Sequence, residues 1–305
     1  MSACTPEPES SAGITPPDYL SMAQGQVVLE RDQLKVTLTP GVGGRIASVV
    51  FAGKERLMTA QGAANSNSWG NVLWTSPQSE WGWPPPAALD SEPYRTQLTE
   101  QGVTLVGDAD PGLKVAASKS YSLGNTENTL VIDYQIRNTG EETVTLAPWE
   151  ITRLPAEGLI FFPKGETPYT TGNFSGLPFA EADGISWYEY QRADLTAEHH
   201  KVMTDGEEGW LAYQSDDYLF VKVFENVPAE LMAPGEGEIE FYANGAGTYI
   251  ELEQQGYLTT LMPGESLSWE VLWVFATVPE DLVGEHGVLA QRARQLAGGA
   301  LAQAD

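Results

Sequence analysis

Short apolar runs separated by Gly-, Pro- and Asn-rich turns fill the chain from Gln26 onward, and this punctuation restricts it to antiparallel β-structure. Candidate strands cover 27–30, 34–39 and 45–51, the last two joined by the turn Pro40-Gly41-Val42-Gly43-Gly44. Segments 129–137 and 143–150 read as a hairpin about Asn138-Thr139-Gly140-Glu141. Further strands are expected at 210–214, 219–224, 239–243, 248–254 and 268–277. Helix is scarce. The best helical pattern runs from about 279 to 296, with Glu280 and Asp281 early and Arg292 and Arg294 late, as the helix dipole favours. Strand edges must be paired or closed over a common core, so the expected fold class is all-β. The chain reads as a large two-layer antiparallel β-sandwich with a short C-terminal helix, a single domain over 26–305.

The N-terminal segment differs in kind. Residues 1–25 are rich in Pro, Ser and Glu and too polar to fold alone, which suits a disordered tether. The one cysteine, Cys4, follows Met1-Ser2-Ala3, a pattern like the end of a lipoprotein signal. A lipid anchor at Cys4 would place the protein in the cell envelope or periplasm. With a single cysteine there is no disulfide framework. The balance of 42 acidic to 16 basic residues, a formal net charge of −26, argues against nucleic acid and anionic membrane surfaces as partners, since both require clustered Lys and Arg. Membrane contact is therefore expected only through the anchor, and the protein is expected to be a monomer.

Four of the nine tryptophans fall within 67–86, NSWGNVLWTSPQSEWGWPPP: Trp69, Trp74, Trp81 and Trp83. Gly and Pro break this segment too often for a helix, and only 71–75 passes as a strand. Indoles on a Pro-stiffened loop lose little rotamer entropy on docking and suit flat, half-apolar ligands. Sugar rings are such ligands, with C–H faces for stacking and hydroxyls for Asn71, Gln78 and Glu80. The competing reading has the indoles plug one end of the β core.

Strand alternation selects the remaining candidates. In 249–255, Tyr249, Glu251, Glu253 and Gln255 share one face, and the two carboxylates sit about 7 Å apart along the strand. If that face lines a cavity, repulsion and desolvation make one of them a proton donor. In 148–154, Trp149, Ile151 and Arg153 face one way and Glu150 and Thr152 the other. Glu150 then points into the sandwich and needs a cationic partner, or a bulge near Pro148 turns it toward the ligand. Arg45, Arg153 and Lys222 stand out as rare cations within strands, each either binding an anionic group or forming a structural salt bridge. His199 and His200 follow Glu198 in a polar stretch and read as surface. No Cys/His metal spacing, phosphate loop, nucleophile elbow or dinucleotide fingerprint is present. No cofactor or metal site is expected, with calcium on scattered carboxylates left open.

Three segments in order resemble the galactose mutarotase-like superfamily: TPGVGGRIASVVFAGKERL (39–57), IRNTGEETVTLAPWEITRL (136–154) and YIELEQQGYLTTLMPGESLSWEVLWVF (249–275). The resemblance implies an aldose 1-epimerase-like super-sandwich with a sugar site. In aldose epimerases a glutamate in a Leu-Glu-Thr-Gln stretch removes the anomeric proton, and LEQQ puts Glu253 there. The stretch that carries their ring-protonating histidine matches PWEITRL, which offers Trp149 or Glu150 instead. A second histidine expected near 70–83 is also absent. The resulting expectation is a carbohydrate-binding protein with Trp74, Trp81, Trp83 and Trp149 as stacking surfaces and Arg45, Asn71, Gln78, Arg153 and Glu251 as polar contacts. The alternative is a carbohydrate-active enzyme with Glu253 as base and Glu150 or Lys222 as partner. A third reading is an envelope scaffold lipoprotein.

Overall fold

The computed structural model describes residues 14–63, 65 and 67–304. Two antiparallel sheets, of eleven and ten strands, face each other across a continuous apolar core. The first sheet runs in the order Leu20–Ala23, Gln26–Arg31, Leu34–Thr39, Arg45–Phe51, Asn71–Ser76, Val144–Pro155, Tyr249–Gln255, Ile239–Ala243 and His200–Thr204. Two short strands, Lys54–Glu55 and Thr259–Leu261, pair beside this path. The second sheet is centred on Tyr218–Phe224, Ser266–Thr277, Thr129–Asn138 and Val115–Leu123. The expected two-layer sandwich is the observed one.

Alternation drives the layering. Leu34, Val36 and Leu38 point inward while Lys35, Thr37 and Thr39 are partly exposed, so one register buries every apolar side chain. Val115–Leu123 alternates as strictly but was not expected as a strand. Its inward positions carry Ala117 and Lys119 among the larger apolar residues, which hides the pattern in a run of Ala, Ser and Lys. Strand Val144–Pro155 runs unbroken through the hairpin arm expected at 143–150 and the alternating segment 148–154, and it carries Arg153.

Two expectations are corrected. Leu20–Ala23 forms an edge strand on Gln26–Arg31, so ordered structure begins inside the stretch assigned to the tether. Cys4 and the rest of 1–13 lie outside the described residues. The C-terminal helix spans His286–Ala304 rather than 279–296. Glu280 and Asp281 sit in a separate 3₁₀ turn, Glu280–Leu282, and Gly284 at φ +80° divides the two. Neither carboxylate serves the helix dipole, and Arg294 is instead held mid-helix by Glu208 at 2.6 Å. The helix lies on the outer face of the second sheet, where Ala290, Ala293 and Ala297 allow close approach to Trp210 and Leu219.

Candidate functional site

The site occupies the face of the first sheet that points away from the second. Registers align Trp74 with Trp149 and Gln255, Arg153 with Glu251, Tyr242 and Lys201, and Glu253 with Glu240. These rows form the floor of a cavity of about 640 Å³. Its size falls within the range of pockets that enclose small organic ligands. Its walls come from loops: Asn65, Asn67 and Ser68 on one side, Gln78 and Trp83 on another, and Phe174, His199 and Asn244 opposite.

The floor carries an electrostatic conflict. Glu240 and Glu253 lie directly opposite on neighbouring strands, a placement that like charges normally avoid. Lys201 reaches diagonally between them, 2.5 Å from Glu240 and 3.1 Å from Glu253. Its ammonium also lies 4.7 Å from the Trp149 ring centre, a cation–π contact. Trp149 donates its indole N–H to Glu253 at 3.0 Å. Arg153 donates to Glu251 at 2.7 Å and spreads over Trp74. Burial pushes the Glu253 carboxyl well above its usual range. The attraction of Lys201 opposes this, but Glu240 and Glu251 repel and the upward shift prevails. For Lys201, burial alone favours the neutral amine, but Glu240 and Glu253 outweigh it and raise its pKa. The arrangement sets a lysine held toward its charged form beside a glutamic acid held toward its neutral form.

The tryptophans divide into platform and support. Trp74 and Trp149 meet edge to face at 5.5 Å on the floor, both buried. Trp83 stands at the rim, 67% exposed, 6.2 Å from Trp74. Trp81, expected to stack on ligand, lies off the cavity wall. Its N–H is fixed to the Thr75 carbonyl at 2.8 Å, and its ring braces Trp74 at 5.6 Å. Gln78 lines the cavity, and its backbone N–H is held by Glu236 at 2.8 Å, tying the Trp loop to the floor cluster.

Four expected site residues face elsewhere. Glu150 points into the sandwich, so the alternative with a cationic partner holds, and that partner is Lys222 at 2.8 Å. Trp273, Gln254 and Tyr134 also donate to Glu150, while Lys222 donates to Thr152 and the Leu252 carbonyl. Both are fully buried on the far side of the sheet from the cavity, which removes the geometric basis for their expected catalytic roles. Asn71 bonds Thr152 and Tyr134 in the same interior network. Arg45 pairs with Asp90 at 2.8 Å, caps the carbonyls of Asn67 and Trp69, and lies over the Trp69 ring at 4.6 Å. It is a clamp beneath the loop. The clamp depends on Gly43 at φ +64°, where a Cβ would stand 2.0 Å from the Asp90 carbonyl oxygen.

Sequence reading missed Lys201, Tyr242, Phe174 and Asn244, and placed His199 and His200 on the surface. His199 lines the cavity rim, stacked on Tyr242 with its Nδ1 2.5 Å from the phenol oxygen. His200 opens a strand and is buried, its ring nitrogens engaged by Gly176 and Thr196. The available signal was alternation in 239–243, which puts Glu240 and Tyr242 on one face. Among the described residues no group of three or more His, Cys, Asp and Glu is placed to hold a metal ion.

The architecture is similar to that of several solved structures. A galactose mutarotase-like protein from Lactobacillus casei ATCC 334 superposes with a TM-score of 0.58 at 12% identity, over 83% of this chain and 100% of that one. A galactose 1-epimerase from Lactobacillus acidophilus NCFM gives 0.52 at 15% identity, over 83% and 95%. A TPR-domain containing protein from Parabacteroides distasonis ATCC 8503 gives 0.58 at 16% identity over 85% of this chain, which spans about half, 48%, of that protein. No curated protein matches the sequence. The fold is thus the galactose mutarotase-like super-sandwich. At the level of sequence, residues 24–276 match the model described as Domain of unknown function (DUF4380), and the chain belongs to that family.

Proposed function

We propose that the protein binds a carbohydrate in this cavity, with Trp83 as the stacking surface and Trp149, Arg153, Glu251 and Glu253 below it. The observation that carries the reading is Trp83. A tryptophan exposed over 67% of its surface, at the mouth of a cavity floored by two further indoles and a row of charged groups, suits a sugar ring. The aromatic faces match C–H surfaces, and the carboxylates and guanidinium match hydroxyls. Structural neighbours that include a galactose 1-epimerase support a carbohydrate-related role. Titrating indole fluorescence and melting temperature against mono- and oligosaccharides tests this. A binding sugar quenches the indoles and raises the melting point. Loss of that response in Trp83→Ala is expected, and an identical response in the variant refutes the placement.

A second reading is acid–base catalysis at the anomeric centre. It is favoured by Glu253, 1% exposed, whose raised pKa suits a proton donor held against the charged Lys201. This reading predicts that Glu253→Gln abolishes turnover of the bound sugar while affinity stays within about tenfold, a loss of about 1.4 kcal/mol at most. Unchanged turnover rejects it. We also propose a lipid tether at Cys4, testable by fatty-acid labelling of the wild type and of Cys4→Ser.

A further inference from the structure

The charges around the cavity do not balance. Glu251 and Glu253 line it, Glu240 lies against Lys201 at its base, and the half-buried Glu236 backs its rim through Gln78. Two cations answer these four carboxyls, and both are already engaged: Lys201 between Glu240 and Glu253, Arg153 with Glu251. Among the described residues, the other side chains lining the cavity include no further lysine or arginine. The aromatic floor favours cations too. Lys201 sits over Trp149 and Arg153 over Trp74, so these indoles already work as cation platforms, while Trp83 extends the same surface into solvent. A further feature points to a bound molecule: Arg153 is 3% exposed, lines the cavity, and has its Nη1 buried without a hydrogen-bond partner. A ligand hydroxyl would satisfy it.

Resting on the carbohydrate reading, we propose that the ligand is an amino sugar carrying a free ammonium, its ring on Trp83 and its charge against Glu251 and Glu253. The ammonium restores the balance that the fold leaves open, and a ring hydroxyl accepts from Arg153. Uronates are excluded because their carboxylate would stand beside Glu251 and Glu253 while both cations are already engaged. N-acetylated sugars lose the charge and keep only the stacking. Burial lifts Glu236 to about 7 and Glu253 well above its usual range, with Glu240 repelling both, so an ammonium placed beside them favours their ionised forms. Binding is then accompanied by proton release.

Calorimetry tests this with glucosamine, galactosamine and mannosamine against their parent hexoses, their N-acetyl derivatives and the hexuronates. Measurements are made near pH 6.5 in two buffers of different ionisation enthalpy. The expected result is that at least one hexosamine binds tenfold or more tighter than its parent hexose. Its apparent enthalpy should depend on buffer in the sense of proton release, and the hexuronates should not bind. Glu251→Gln should narrow the hexosamine-to-hexose ratio, because it removes a carboxylate while leaving the stacking surface. Binding of a neutral hexose or hexuronate as tight as any hexosamine overturns the ammonium assignment and leaves the carbohydrate reading standing. Absence of binding by every sugar at millimolar concentration overturns both.

Discussion

Two lysine–glutamate pairs lie on opposite faces of one sheet, and they differ in how completely their charges are answered. In the interior, Lys222 meets Glu150 one to one at 2.8 Å, and Trp273, Gln254, Tyr134 and Thr152 complete the network. On the cavity side, Lys201 is shared by Glu240 and Glu253, directly opposed carboxylates on adjacent strands. Both lysines are almost fully buried, yet their pKa values move in opposite directions. Burial lowers that of Lys222 against the pull of Glu150 and, more weakly, Glu253, whereas for Lys201 the pull of Glu240 and Glu253 overcomes burial and raises it. A closed network holds two sheets together. An unbalanced one beside an open cavity is a place for something else to bind.

The largest effect expected from this contrast is on stability. Removing one partner of the interior pair, by Lys222→Met or Glu150→Ala, strands a buried charge and should lower unfolding stability by about 3–5 kcal/mol. Glu253→Gln keeps the shape of the protonated acid that the cavity already favours, so its change at pH 7 should stay within about 1 kcal/mol. Urea titrations of the three variants measure both. Equal losses on the two faces would erase the distinction between structural and functional pairs.

The next effect separates platform from support among the tryptophans. Trp83→Ala should weaken sugar binding about tenfold to a hundredfold, about 1.4–2.8 kcal/mol, with stability changed by about 0.5 kcal/mol or less. Trp81→Phe keeps a ring against Trp74 but loses the N–H bond to Thr75, so it should lower stability by about 1 kcal/mol. Its effect on affinity should be smaller than that of Trp83→Ala. If Trp81→Phe weakens binding more than Trp83→Ala, the stacking surface has been placed on the wrong indole.

The same contrast explains how much could be read from the sequence. Strand alternation located Glu251 and Glu253 because Ile250 and Leu252 mark the other face of their strand as the apolar one, and it grouped Trp149 with Arg153 by period alone, since their opposite face carries Glu150 and Thr152. It also separated Glu150 from Trp149. Arg45 and Asn71 were misread because their partners, Asp90 and Thr152, are remote in sequence, and a lone polar residue in a strand gives no hint of which face it takes. Lys201 was hidden for a different reason. Strand His200–Thr204 is buried along its whole length, so its residues show no exposed–buried period, and its polar ends resemble a loop. The cavity is assembled from residues 65 to 253, and only cross-strand register brings them into one row.

The smallest effect sharpens the comparison through pH. Burial is the main cause holding the Glu236 carboxyl at about 7 in the folded protein, and the charge on Glu240 adds to it. An unfolded glutamate releases its proton near 4.3. Between these values the folded state holds more protons than the unfolded state, so stability falls as pH rises from about 4.3 to 7 and levels off above. Glu236 is only half-buried and solvent screens it, which limits its share to about 1 kcal/mol or less. Glu238, also held near 7 by burial but bonded to the backbone of Gly206 and Val227 away from the cavity, contributes a slope of the same sign. The wild-type profile alone therefore cannot assign the effect, and the difference between wild type and Glu236→Gln is the quantity to measure, by urea midpoints at pH 5, 6, 7 and 8. The variant should gain on the wild type as pH rises toward 7. A hexosamine at saturation should shrink that gain, because its ammonium neutralises the cluster that Glu236 belongs to, while the slope from Glu238 should persist. A gain unchanged by ligand would place Glu236 outside the cavity's electrostatics and leave it as a tie for the Gln78 backbone alone.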